Sequence, residues 1–284
     1  MDTCPNYLLY KKYGLRLAIS MSIIGLAIMI AVSTIFTGAG LFFNIPEDDI
    51  YYNATSILSR VISFFFLFAF GAYFKLIPEI GFSFKGFWKA FTEAYVGWAI
   101  AIAFLVDNLT MNFALGNKIN FTLVLLYMVT NLSVGLFEEM LSRGITMNIL
   151  KRKIENRNLV ILIQAIIFMA LHTINYVMGM MTLKQLRTQL IFTFFMGLYY
   201  GYIYEKTNSF WLVVLLHSIY DFCVSSAYCF DPTGEAGVIY ARATFTIAIY
   251  AALFLLLFAS MKFLAKSLRD LKKYKEELEL ENYE

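Results

Sequence analysis

Residues that build disulfide and redox sites are scarce in this sequence of 284 residues. The three cysteines are Cys4, Cys223 and Cys229, and they form no CxxC pair. Neither a disulfide framework nor a thiol redox site is therefore indicated. A glycine-rich phosphate loop and internal repeats are also missing from the sequence. The lack of repeats argues against a transporter built from inverted repeats.

Charge is the second scarcity. Charged residues make up 15% of the chain and hydrophobic residues 60%, with a formal net charge of only +3. A chain of this composition is a polytopic membrane protein, not a soluble domain with one large core. The small net charge gives no indication of a nucleic-acid partner.

Eight apolar segments are close to the length of about 20 residues that spans a bilayer. All four prolines lie between these segments, where they interrupt no helix. The first segment is too long for a cleavable signal peptide. We therefore predict an all-α fold with about eight transmembrane helices, at residues 16–43, 54–74, 87–106, 121–141, 159–177, 186–204, 209–230 and 242–264.

Lysines and arginines cluster at alternate ends of these segments. They precede the first span, lie between the second and third and between the fourth and fifth, and follow the eighth. Acidic residues follow the first and seventh spans. The positive-inside rule then predicts that both termini are cytoplasmic. Lys184 and Arg187, between the fifth and sixth spans, are the exception.

The fourth span ends in Glu138, Glu139 and Arg143. Ionised groups are costly inside a bilayer and usually serve a function there. On a helix, Glu139 and Arg143 lie one turn apart and can form an ion pair, which we expect to be structural. Glu138 points about 100° away and stays available as a proton acceptor.

Both histidines lie inside predicted spans. His172 ends the pattern Phe-x-x-x-His, and His217 lies one helical turn before Asp221. Counting about 1.5 Å per residue from the cytoplasmic charges brings both histidines and Glu138 to a similar depth. A single intramembrane histidine is often a packing hydrogen-bond donor, but two carboxylates and two histidines at one depth indicate a site.

The patterns Glu-Glu-x-x-x-Arg, Phe-x-x-x-His and His-x-x-x-Asp/Asn, in this order on successive helices, resemble the CPBP (Abi) family of intramembrane proteases. The family includes type II CAAX prenyl endopeptidases and bacterial relatives linked to bacteriocin processing and immunity. The resemblance covers the core and not the first three spans. It divides the chain into residues 1–120, a catalytic core at 121–230, and residues 231–284 with the last helix and a charged cytoplasmic tail.

The resemblance implies an endopeptidase with a conical intramembrane cavity open to the cytoplasmic side. Its substrate would be a hydrophobic or lipidated peptide, for instance a prenylated one, in contact with membrane lipid. The setting would be the plasma membrane of a bacterium. Glu138 would activate water with help from His172, and Arg143 would hold Glu139. His217 and Asp221 would stabilise the oxyanion.

Position 221 departs from the best-described prenyl proteases, which carry asparagine there. An ionised aspartate accepts hydrogen bonds but cannot donate to an oxyanion. Asp221 therefore either carries a proton or orients His217, as a carboxylate orients histidine in other hydrolases.

The resemblance implies no cofactor, but a zinc-dependent mechanism stays open. Glu138, His172 and His217 would form a catalytic zinc pattern with one position left for water. Two other classes also remain: a non-catalytic immunity or scaffold protein that keeps the fold, and a proton-coupled transporter that uses the same side chains.

Overall fold

The computed structural model describes residues 7–43, 45, 49–84, 86–231, 268–273 and 276. The described part is built almost entirely from helices, as predicted. The principal helices are α1 (Tyr7–Phe42), α2 (Asp49–Tyr73), α3 (Phe87–Glu93), α4 (Tyr95–Ala114), α5 (Phe121–Glu139), α6 (Asn148–Lys153), α7 (Arg157–Leu171), α8 (Ile174–Val177), α9 (Leu183–Thr207) and α10 (Phe210–Ser225). A π-helical segment, Met140–Met147, joins α5 to α6.

Six described segments are long and apolar enough to cross a membrane. They are Tyr13–Phe42, Ile50–Tyr73, Tyr95–Ala114, Phe121–Lys151, Arg157–Val177 and Phe210–Cys229. Helix α9 has 25 residues but is less apolar, because it carries four charged residues and two glutamines. An integral multi-pass membrane protein is confirmed. The count of eight is not, and the predicted span 242–264 lies outside the described residues.

The third predicted span, at residues 87–106, is placed wrongly. The segment splits into the short α3 and the membrane-length α4, and the chain bends at Ala94, with φ −86° and ψ 15°. Glu93, the last residue of α3, makes a contact across helices, in which Lys206 Nζ lies 2.5 Å from its carboxylate. Hydropathy averaged over a window cannot detect such a break.

Side-chain caps fix several helix starts at the positions where the polar residues stand. Asn120 accepts from the backbone amides of Thr122 and Leu123 at the start of α5, and Asn156 does the same for α7. Thr182 and Gln185 form a capping box at the start of α9. These caps satisfy amides that have no partner within the helix.

Several helix ends that carry lysines and arginines meet at one end of the bundle. They are the ends of α2, α6 and α9 and the start of α7, and we call this the basic end. Among the described residues, four ion pairs between different elements join it: Lys151 with Glu205 at 2.5 Å, Arg157 with Glu205 at 3.7 Å, Arg152 with Glu79 at 2.6 Å and Lys206 with Glu93. Basic residues from loops far apart in the sequence thus lie together at this end of the bundle.

The opposite end of the bundle is joined by backbone contacts. The two-residue strands β1 (Lys118–Ile119) and β2 (Phe230–Asp231) pair antiparallel, with Lys118 opposite Asp231. The amide of Asn120 donates to the carbonyl of Cys229 at 2.9 Å. The start of α5 and the end of α10 are therefore held side by side.

Close helix crossings bring the core helices together. A Cβ added to Gly197 would lie 3.1 Å from Ala165, and one added to Gly201 would lie 3.0 Å from Ile161. This Gly-xxx-Gly pair therefore lets α9 pack closely against α7. Gly135 of α5 likewise packs against α10, where an added Cβ would lie 3.0 Å from the carbonyl oxygen of Val214.

Candidate active site

The junction of α5 and the π segment positions the first three site residues. Glu139 ends α5, and Arg143 lies in the π segment that follows. Arg143 Nη1 lies 2.8 Å from Glu139 Oε1, and both side chains are 0% exposed. The predicted ion pair is present and fully buried.

Arg143 is surrounded by groups from neighbouring helices. Its Nη2 donates to the carbonyl of Gly197 at 3.1 Å, and its guanidinium lies 5.1 Å from the ring centre of Phe168 and 5.5 Å from that of Tyr200. Cation–π contacts of this kind stabilise a desolvated arginine. Arg143 therefore ties the end of α5 to α7 and α9 and takes no part in lining the cavity.

Glu138 has different surroundings. Its side chain is 23% exposed and lines a large cavity between the helices. Glu138 Oε2 lies 3.9 Å from His172 Nε2 and 3.8 Å from His217 Nε2. Both distances exceed a hydrogen bond but allow one water molecule to contact the carboxylate and an imidazole together.

The tautomer of His172 follows from its other nitrogen. His172 follows the last residue of α7, and its Nδ1 lies 2.8 Å from the carbonyl oxygen of Phe168. A carbonyl only accepts, so Nδ1 carries the proton and donates it. In the neutral ring, Nε2 then presents a lone pair to the cavity beside Glu138.

His217 bridges the two halves of the site. Its Nδ1 lies 2.7 Å from Glu139 Oε1, and its Nε2 lies 3.3 Å from Asp221 Oδ2. Sequence reasoning missed the contact with Glu139, because nothing in the spacing links α5 to α10. Glu139 thus holds Nδ1, whereas Asp221 faces the nitrogen directed toward Glu138.

The cavity has a volume of about 1170 Å³ and extends far along α9, from Thr182 to Tyr200. At 1.5 Å per residue this wall is about 27 Å long. Toward the basic end the cavity has a floor, since every residue from 139 to 150 is buried. Glu138, His172 and Asp221 are part-exposed above that floor, with side-chain exposures of 23%, 16% and 25%.

Part of the cavity lining lies far from the basic end. It comes from the α7–α9 connection and the end of α10, and includes Asn175, Met181, Lys184 and Tyr228. The cytoplasmic termini and the cavity open to the cytoplasmic side stay predictions, because the helices alone assign no membrane side.

Arg60 of α2 is a cavity residue that lies outside the three sequence motifs. It lines the cavity together with Glu138 and Asp221, and its Nη1 donates to the carbonyl of Ser56 at 3.2 Å and to the Ser56 hydroxyl. Arg60 lies about 16–20 Å along α2 from either helix end, too far for its side chain to reach the interface. The central position of Arg60 in a long apolar segment is the sequence feature from which its place inside the bundle could have been predicted.

The residues named for a zinc site do not fit one in this arrangement. Tetrahedral zinc with ligands at 2.0–2.1 Å holds its donors about 3.3 Å apart, whereas Glu138 Oε2 lies 3.8–3.9 Å from both imidazole nitrogens. Among the described residues no group of three His, Cys, Asp or Glu side chains could hold a metal ion. The question of metal dependence stays open to experiment.

Comparison with known proteins bears directly on this geometry. Residues 120–223 match the family described as type II CAAX prenyl endopeptidase Rce1-like. The match supports the resemblance to the CAAX protease family for this segment. The matched segment contains all six predicted site residues: Glu138, Glu139, Arg143, His172, His217 and Asp221. No curated protein and no solved structure matches the chain.

Proposed function

We propose that the chain is an intramembrane endopeptidase that hydrolyses a peptide bond in a hydrophobic or lipidated, membrane-associated peptide with water activated by Glu138. The observation that supports this best is the position of the Glu138 carboxylate, nearly equidistant from two imidazole nitrogens at the inner end of the cavity. The match of the core to the CAAX protease family supports the same reaction class.

In the proposed reaction a water molecule lies between Glu138 and His172. Glu138 takes a proton from this water while the lone pair of His172 Nε2 accepts its second hydrogen bond. The water oxygen then attacks the carbonyl carbon of the peptide. When the carbon–nitrogen bond breaks, Glu138 returns the proton to the leaving amine.

His217 and Asp221 face the position that the oxyanion would occupy. Since Nδ1 of His217 donates to Glu139, its Nε2 can donate to the oxyanion only when the ring carries both protons. The Glu139 carboxylate, which accepts from Nδ1, can balance the charge of this doubly protonated ring. A donor to a developing oxyanion typically lowers the activation free energy by about 3 kcal/mol.

The experiment that tests the proposal compares membrane peptides from cells carrying the native protein or the Glu138→Gln variant. We expect at least one peptide to be cleaved only in the presence of the native chain. Equal peptide profiles at equal protein levels would refute the peptidase proposal and favour an immunity or scaffold protein. We also propose a bacterial plasma membrane as its location, with both termini cytoplasmic.

A further inference from the structure

Two cations line the cavity among the described residues, Arg60 and Lys184. Lys184 is exposed, so water solvates its charge, whereas Arg60 is part-buried in the middle of α2. A charge so far inside a membrane-spanning segment is costly and usually serves a function. The reaction proposed above assigns no role to Arg60.

Contacts between α2 and the α5 region place Arg60 at the depth of the catalytic carboxylate. Near the starts of the two helices, the hydroxyl of Thr130 donates to Asn53 at 2.7 Å. Near their other ends, a Cβ added to Gly71 would lie 3.3 Å from Ile145. The helices therefore run in the same direction. Arg60 comes seven residues after Asn53, or about 10 Å along the helix, and is thus level with the residue that precedes the catalytic glutamate.

The guanidinium of Arg60 has no carboxylate partner within the described part of the chain. Its Nη1 donates to the carbonyl and hydroxyl of Ser56, one turn earlier in α2. The two carboxylates in the cavity, Glu138 and Asp221, make their ion-pair contacts with histidines instead. A guanidinium carries five N–H donors in a planar fork that matches a carboxylate. The other donors of this fork are therefore available to an anion that enters the cavity.

We propose that Arg60 binds a carboxylate of the substrate peptide and so selects peptides that carry one near the cleaved bond. The bonds to Ser56 hold the guanidinium about one turn, roughly 5 Å, before the level of Glu138. This offset corresponds to about two residues of extended peptide. The carboxylate can belong to an acidic side chain or to the carboxyl terminus, since both present the same two oxygens. The inference rests on the proposed peptidase function and names a specificity residue in its cavity.

The test measures the binding of four fluorescent hexapeptides that share one apolar sequence. One is an uncharged amide, one is its free acid, and two are amides with a central glutamate or glutamine. Fluorescence anisotropy in detergent reports their affinity for the purified Glu138→Gln protein, which should bind without cutting. We expect the free acid, the glutamate peptide or both to bind about tenfold more tightly than the uncharged partner, the factor typical of one charge-assisted hydrogen bond. The peptide that gains affinity identifies the source of the carboxylate.

Arg60→Gln should remove this preference and leave the binding of the uncharged peptides unchanged. Lys184→Gln is the matched control, because it removes the other cation that lines the cavity, and it should keep the preference. If Arg60→Gln folds poorly, Arg60→Lys takes its place and should weaken carboxylate binding severalfold, because lysine lacks the planar fork.

Equal affinity for charged and uncharged peptides, or a preference that persists without Arg60, would overturn the proposal, and so would the absence of binding by all four peptides. A loss shared equally by all four peptides in Arg60→Gln would also overturn it, because it would show that Arg60 only balances the charge of other cavity groups. Binding requires no turnover, so the peptide comparison described above can fail while the preference is found. The two inferences are therefore judged separately.

Discussion

Glu138 and Glu139 are neighbours in the chain but have different surroundings. Glu139 is fully buried against Arg143 and His217. Glu138 faces the cavity, and its ion-pair contacts within the described part of the chain are the two histidines. The helical turn of about 100° between adjacent residues produces this division. We therefore propose that Glu139 supports the fold and that Glu138 takes part in the chemistry.

We expect Glu138→Gln to abolish turnover and to leave the thermal unfolding temperature close to that of the native protein. Glu139→Gln should instead destabilise the fold by about 3–5 kcal/mol, because it leaves Arg143 without its buried counter-charge. Thermal unfolding in detergent and cleavage of one peptide measure the two effects. Equal activity loss with unchanged stability in both variants would contradict this division of roles.

Asp221 lies on the cavity side of His217, and the Asp221→Asn variant separates its two possible roles. If a protonated Asp221 donates to the oxyanion, the asparagine amide can donate in its place and activity should extend to higher pH, because an amide cannot ionise. If Asp221 acts as a carboxylate that orients His217, the variant should lose most of its activity. Since Glu139 already holds Nδ1 of His217 at 2.7 Å, we expect the first result in a pH–rate profile.

Metal dependence is tested by treating purified protein with a strong chelator. We expect activity to survive and metal analysis to show much less than one zinc per chain, because the donors are spaced too widely for tetrahedral zinc. Loss of activity together with about one equivalent of zinc would overturn the glutamate mechanism while leaving the peptidase assignment in place.

At the scale of elements, the site depends on the crossing of α5 and α10. Gly135 lies about one turn before Glu138, and its position lets α5 approach the Val214 carbonyl of the helix that carries His217. Arg143 lies in the π segment after α5, and Asn148 donates to its carbonyl at 3.1 Å. Single-turn widenings of this type occur mostly at functional sites, and here one sets the position of the buried arginine.

We expect Gly135→Ala to lower both stability and turnover, since the added methyl group would press against Val214 and Ser218 and move α5 away from α10. Gly38→Ala is the matched control: it lies in α1, where an added Cβ meets nothing within 4 Å. That change should be neutral or stabilise the helix by about 0.5–1 kcal/mol. Similar unfolding temperatures for both variants would show that this crossing does not limit stability.

For the whole molecule, composition and motif order were sufficient to predict an all-α membrane protein with a CAAX protease core. The side chains of Glu139 and Arg143 met as predicted because both lie on one continuous helical stretch. The contact between Glu139 and His217 could not be predicted, because it depends on how two distant helices cross. The same holds for the place of Arg60 in the cavity wall, which depends on the helix face that carries it.

Orientation can also be measured without reference to the site. Cysteines placed at residues 151–157 should be labelled only from the cytoplasm, and cysteines at residues 47–49 only from outside. The second loop lies largely outside the described residues, so this prediction rests on sequence charge. A pattern with both loops on one side would show that one of the membrane-length helices between them, α2, α4 or α5, does not cross the membrane.

The buried segment 139–150 lies between the cavity and the basic end, and Leu141 and Ser142 of this segment line the cavity. If the proposed peptidase works in this arrangement, its substrate needs no route through the bundle, and both fragments can leave on the side from which the peptide entered. Such a reaction would transport nothing across the membrane.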